Sequence, residues 1–341
     1  MSVTLGTALG MAAVAFLIPV LCFGGAEAEV PTAERVSPAV LLPLGASERA
    51  EVQDADVRTG ELDASYYVQV LCEDGTIQEM DMGEYLWGVV AAEMPAAFEP
   101  EALKAQAVAA RTYTLWKSLH NSAHAGVDIC MDFACCQAWL SREDATEKWG
   151  ENAELYAAKI ADAVTATDGL VLCWEGQPIQ AVFHSSSAGM TEDAVMVWGS
   201  TVPYLLSVDT PEGKDVPNYH SFVTVTPNEL AAAVAGYGCD LSGSPEDWIA
   251  GAVRTESGMV MSLEIGGVGV KGTHLRNALG LRSAVFSVDY SDGAFVFSVT
   301  GYGHGVGMSQ YGANTLAQQG KDWRDIVAWY YTGVTVEEYP V

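Results

Sequence analysis

One carboxylate on an apolar helical stripe is equipped to move a proton, and Ala92-Glu93-Met94-Pro95 supplies one. Leu86, Val89 and Val90 precede Glu93 by seven, four and three residues, the spacing of one helix face. Desolvation disfavours the charged form of such a carboxyl and lets it hold a proton near neutrality. Pro95 should end the helix just beyond it, because proline biases the residue before it away from helical backbone. Glu93 is thus expected at a helix end, within reach of a substrate. The competing reading is a structural ion pair with Lys104 or Arg111, which follow on a turn-spaced face.

A second polar cluster lies near the C-terminus, in Gly301-Tyr302-Gly303-His304-Gly305-Val306-Gly307-Met308-Ser309-Gln310-Tyr311-Gly312. Glycines allow sharp turns and close approach of backbone to a ligand. The dinucleotide fingerprint and the P-loop lysine are both absent, so a phosphate cradle is disfavoured. His304, Gln310 and Tyr311 suit hydrogen bonding to sugar hydroxyls and amides, and Ser309 suits an N-cap. The other reading is a tight strand-to-helix crossover with incidental polar groups. Phe183-His184-Ser185-Ser186-Ser187-Ala188-Gly189 also ends a strand. Gly-x-Ser-x-Gly is missing there, so Ser186 and Ser187 read as a polar cleft wall rather than as part of a hydrolase triad.

The chain has seven cysteines, and Cys130, Cys135 and Cys136 crowd together with His124 just upstream. Thiolates and imidazole are favoured zinc ligands, so His124, Cys130 and Cys136 could converge on one ion. Adjacent Cys135 is expected to be a bystander. Disulfides remain the alternative for an extracytoplasmic chain.

These groups need elements to position them. Tyr66 to Leu71 and Thr76-Ile77, joined by Glu73-Asp74-Gly75, read as a hairpin. A second hairpin is expected over residues 169–174 and 177–183. Helical periodicity recurs over 144–167, 227–235, 309–319 and 323–330, and short strands over 259–265, 284–290 and 294–300. Hairpins interleaved with helices, without a regular strand-helix-strand rhythm, point to an α+β fold. The expected form is a mixed, mainly antiparallel curved sheet arrangement with packed helices and a central substrate cleft.

Net charge is −28, with 44 acidic residues against 16 basic ones. No basic field is available to neutralise phosphates, which excludes nucleic acid as the expected partner. A polysaccharide, read by hydrogen bonds and aromatic faces, is compatible. Residues 3–25 form an uncharged apolar run long enough to span a bilayer. The basic start of a signal peptide is missing, which favours an uncleaved anchor in residues 1–28 over a cleaved leader ending at Ala26-Glu27-Ala28. Residues 29–65, acidic and carrying Pro31, Pro38 and Pro43, read as a tether. That leaves 66–341 as an extracytoplasmic folded region.

The chain resembles the stage II sporulation protein D family and its amidase-enhancer relatives. The resemblance rests on Ala92-Glu93-Met94-Pro95, Lys104 to Tyr113, Phe183-His184-Ser185, Val197-Trp198-Gly199, Pro203-Tyr204-Leu205, Leu275-Arg276, Leu279 to Ser283 and Gly303 to Gly312. It implies a peptidoglycan lytic transglycosylase of forespore engulfment, with Glu93 as acid and base. It implies zinc on His124, Cys130 and Cys136, and substrate contacts from Lys104, Arg111, Ser186, Ser187, Tyr204, His304, Ser309, Gln310 and Tyr311. It also implies peptidoglycan glycan strands, a cell-wall amidase and a membrane scaffold as partners. The amidase-enhancer relatives keep a second possibility open, a non-catalytic glycan-binding activator. A zinc hydrolase is a third. Many relatives carry glycine at Ala188 and lysine at Leu206, so glycan contacts near that wall are expected to differ.

Overall fold

The computed structural model describes residues 60–120, 124, 126–213 and 216–339. The expected anchor and most of the tether lie outside the described residues. Among the described residues no helix is long and apolar enough to cross a membrane. In chain order the elements are α1 (Glu61–Ser65), β1 (Tyr67–Leu71), β2 (Ile77–Asp81), α2 (Met82–Glu93), α3 (Pro100–His120) and β3 (Ile129–Cys130). Then come α4 (Arg142–Trp149), α5 (Ala153–Thr165), β4 (Leu170–Trp174), β5 (Gln177–Pro178), β6 (Phe183–His184) and α6 (Ala194–Trp198). The chain continues with β7 (His220–Val225), α7 (Pro227–Ala233), β8 (Ile249–Arg254), β9 (Val260–Ile265), β10 (Val268–Val270) and α8 (Gly272–Leu279). It closes with β11 (Phe286–Ser291), β12 (Ala294–Thr300), β13 (Met308–Ser309), α9 (Gln310–Gln318), α10 (Trp323–Tyr330) and β14 (Thr335–Glu338).

The fold is α+β, as the mixed rhythm implies, with several small sheets and, among the described residues, no closed barrel. The first hairpin pairs antiparallel from Tyr67 opposite Asp81 to Leu71 opposite Ile77. The second expected hairpin is only half formed. β4 turns back into β5, but Phe183 and His184 pair in parallel with Met308 and Ser309 instead. This long-range pairing brings the glycine-rich segment to the His-Ser wall.

Among the described residues two apolar cores form. The first gathers α2, α3, α5, β1, β4, α9 and α10, with Leu86, Val89 and Val90 fully buried as their spacing requires. Each such aliphatic side chain contributes about 1.5–3 kcal/mol of burial. The second is built from β7, β9–β12, α7 and α8, around Leu263, Leu275, Phe286 and Phe297. Local caps set the helix starts: Asp81 accepts from Glu84 N–H at 2.9 Å, and Asp322 accepts from Asp325 N–H at 2.8 Å.

Residues 61–65, read from sequence as the end of a tether, are instead a short helix. Asp63 is buried there and receives the Arg111 guanidinium through two hydrogen bonds of 2.8 and 2.6 Å. The acidic, proline-containing composition upstream masked one residue with a partner in the core.

Candidate active site

Glu93 is the last residue of α2, and Met94 caps the helix in extended conformation just before Pro95. A chain segment crosses α2 beside it, and the crossing needs Gly88. A Cβ there would lie 2.1 Å from Trp139 Nε1, so a side chain would push the segment away. Leu140 N–H donates to Gly88 O at 3.1 Å, and Ala138 N–H donates to Glu93 Oε1 at 2.7 Å. Gln310, the first residue of α9, lines the cleft with the same carboxyl and favours its ionised form. Behind it the Gln310 amide donates to Gln106 Oε1 of α3 at 3.4 Å. Burial pushes the Glu93 carboxyl up to about 6, against the opposing pull of Ala138 N–H and Gln310. The carboxyl therefore holds or yields a proton close to neutral pH.

Glu93 opens into a cleft of about 380 Å³ where the two cores meet. Trp149, Gln310 and Tyr311 line it from the first core's side, and Asn218, Arg282 and Tyr302 from the other. Glu93 is the one carboxylate among the described lining residues. Arg282 stacks over the Tyr302 ring at 4.1 Å, and Tyr311 sets its edge on Phe98 at 4.9 Å. Aromatic faces beside hydrogen-bonding groups suit a sugar chain. Lys148, Trp149 and Asn218 belong to no pattern visible in the sequence. Arg282 and Tyr302 lie inside the glycine- and arginine-containing motifs, but their types alone did not assign them to the cleft.

The remaining sequence-expected contacts divide sharply. Gln310 and Tyr311 sit with Glu93, but Lys104 does not. It pairs with its helix neighbour Glu101 at 2.6 Å in a half-buried ion pair on α3. Arg111 is fully buried in its ion pair with Asp63 and also donates to Leu170 O, so it cannot meet a glycan. Tyr204 spends its hydroxyl on Gln180 N–H at 3.0 Å, outside the cleft. Ser309 is fully buried as the N-cap of α9. Ser186 and Ser187 are buried too; Ser186 N–H donates to Tyr302 O at 3.0 Å, and the Ser187 hydroxyl engages His184.

His304 is not among the residues that line the Glu93 cleft. It packs between His184 and Trp198 and borders a separate, water-sized cavity. Burial first, then the neighbouring histidine and Arg276, depress it to about 3, and burial depresses His184 to about 4. Both rings are neutral at physiological pH. His184 Nδ1 donates to Val306 O, leaving Nε2 to accept the Ser187 hydroxyl at 2.6 Å. That pair resembles part of a triad, yet Ser187 is closed off from solvent. The glycines serve the same close packing rather than a ligand. At Gly307, with φ of 71°, a Cβ would lie 2.2 Å from Val182 O, and at Gly303 one would lie 2.6 Å from the His184 Cβ.

The ligating atoms of His124, Cys130, Cys135 and Cys136 all lie within 4.8 Å of one another. Cys135 thus lies in the same cluster as His124, Cys130 and Cys136. A turn in which Cys135 and Cys136 N–H both bond Asp132 O swings the two neighbouring thiols to one point. His124 Nε2 lies 3.1 Å from Cys135 Sγ and 3.7 Å from Cys136 Sγ, and the two sulfurs are 3.9 Å apart. Tetrahedral zinc with ordinary bond lengths separates its ligand atoms by roughly 3.5–3.8 Å, so one imidazole and three free thiols fit that ion.

A family model described as "Stage II sporulation protein" matches residues 73–174. The stage II sporulation protein D of Bacillus subtilis (strain 168) is 40% identical over 266 residues, covering 77% of this chain and 76% of that protein. The protein of the same name from Bacillus amyloliquefaciens is 40% identical over the same length, with the same coverage. An amidase enhancer of Bacillus subtilis (strain 168) is 29% identical over 308 residues, 74% of this chain and 40% of that protein.

Proposed function

The chain belongs to the stage II sporulation protein D family, and from that premise we propose that it is a peptidoglycan lytic transglycosylase acting in sporulation. The observation that carries the reading is Glu93, the single carboxylate among the described residues that line the cleft, held near pH 6 by burial. Protonated Glu93 donates to the glycosidic oxygen leaving C1 of N-acetylmuramic acid. The carboxylate so formed accepts the proton of the C6 hydroxyl, whose oxygen bonds to C1 and gives a 1,6-anhydro end. One group serves both transfers because the nucleophile is internal. A hydrolase of the two-carboxylate type needs a second acid at defined separation. Gln310 and Ala138 N–H hold the carboxyl in place, and Trp149 and Tyr302 offer faces for neighbouring sugars.

In this reading zinc is held by His124, Cys130, Cys135 and Cys136, as a closed site that orders the chain. Cys136 lies two residues before Ala138, so the ordered turn leads straight to the N–H on Glu93. The enzyme works outside the cytoplasm, tethered by its N-terminal segment, beside a cell-wall amidase and a membrane scaffold.

The amidase enhancer among the relatives favours one rival, a glycan-binding activator without cleavage. Mass spectrometry of glycan strands incubated with the protein separates the readings. Anhydro ends are expected. Reducing ends mean hydrolysis, and intact strands mean a binder.

A further inference from the structure

Glu212 is a buried carboxylate that the mechanism above does not use, and among the described residues it has no cationic partner within ion-pair distance. Burying a carboxyl away from a cation is unfavourable. Its Oε1 accepts two hydrogen bonds from separate parts of the chain, one from Ser187 N–H at 2.7 Å and one from the Ser309 hydroxyl. Ser309 Oγ in turn accepts from Gly312 N–H at 3.2 Å as the cap of α9. The next backbone group, Tyr311 N–H, donates to Ser185 O at 3.0 Å. The helix start and residues 185–187 are thus tied on both sides of Gln310.

Space around Glu212 is equally specific. A Cβ on Gly312 would lie 2.6 Å from Glu212 Oε2 and 2.1 Å from the Tyr330 hydroxyl. Only a glycine lets the first turn of α9 come this close to the carboxylate. Gln310 is the first residue of that turn; its amide donates to Gln106 Oε1, and it lines the cleft together with Glu93.

We propose that Glu212 is a positioning residue: its carboxylate clamps the first turn of α9 to residues 185–187 and so sets the Gln310 amide against Glu93. Glu212 itself is not among the residues that line the cleft. The turnover part of this inference rests on the cleavage reading of Glu93, and the placement of Gln310 does not.

The test follows the Glu93 carboxyl directly by carbon-13 NMR titration of the folded protein, alongside kcat, KM and thermal melting. Glu212→Ala frees the helix start, so the Gln310 amide moves off the Glu93 carboxyl. The Glu93 midpoint is expected to rise by about half a unit to one unit, the worth of one modest hydrogen bond. On glycan strands kcat should fall about tenfold while KM stays within about twofold, the signature of lost alignment. Glu212→Gln keeps an acceptor oxygen for Ser187 and Ser309 and should restore the midpoint and most of kcat. In a Gln310→Ala background, Glu212→Ala should shift the midpoint no further.

A folded Glu212→Ala protein with an unmoved midpoint overturns the inference, as does a Glu212→Gln protein that behaves like Glu212→Ala. Should Glu212→Ala fail to fold, Ser309→Ala carries the test by removing one arm of the clamp. It should raise the midpoint less but in the same direction, and no movement overturns the inference. If the wild-type protein leaves glycan intact, the cleavage reading falls alone, and the titration still decides the role of Glu212.

Discussion

Replacing Glu93 by glutamine should abolish cleavage and, above pH 6, stabilise the protein. The carboxyl titrates near 6 in the fold against an ordinary value of 4.5. A proton bound more tightly in the folded state stabilises that state at low pH. The contribution is fully present below about 4.5 and is lost as pH rises through 6. The shift of about one and a half units corresponds to up to about 2 kcal/mol, an upper bound because the side chain meets cleft water. Glutamine keeps the acceptor for Ala138 N–H and never ionises. The variant should therefore match wild type near pH 4 in their difference of stability and exceed it by up to about 2 kcal/mol at pH 7.5. Urea unfolding of both proteins at each pH measures this, since the other carboxylates cancel in the difference. Wild-type kcat/KM should fall about tenfold per pH unit above 6, as the protonated acid is depleted. A stability difference that does not change with pH, or a variant less stable at pH 7.5, refutes the claim that burial poises Glu93.

Four further outcomes follow from the same geometry. Arg111→Met should destabilise the fold by about 3–5 kcal/mol in urea melts, because it strands Asp63 in the core, while KM of the folded fraction stays unchanged. Gln310→Ala should lower kcat and raise the Glu93 midpoint, because it removes an amide that favours the ionised carboxyl, with the pH–rate profile moving to higher pH. Gly312→Ala should destabilise by about 1–3 kcal/mol through overpacking against Tyr330 and Glu212, read as a lower thermal midpoint. Elemental analysis should find one zinc per chain, and Cys135→Ser should release it to a chelator faster than wild type does. A metal-free protein with a disulfide among these cysteines refutes the last.

Short-range rules left clear marks in the sequence. The stripe of Leu86, Val89 and Val90, with Pro95 after it, located Glu93 at the end of α2 because helix period and proline sterics act within a few residues. The first hairpin, the α10 boundaries and the convergence of His124 with its cysteines follow from the same local reach. What a polar side chain does once placed was decided elsewhere. Arg111 and Gln310 look alike as candidate ligands in the sequence. One meets Asp63, 48 residues upstream in a stretch of tether-like composition, and the other reaches Glu93 across the parallel pairing of β6 with β13. His304 and Ser309 have the chemistry of a sugar contact, yet packing turned one towards His184 and used the other to cap a helix. A buried polar group must find a partner, and whether that partner is the chain itself or a ligand depends on which faces meet in three dimensions. Residue type and spacing carry no record of that meeting, so the acid was legible in the sequence and most of its cleft was not.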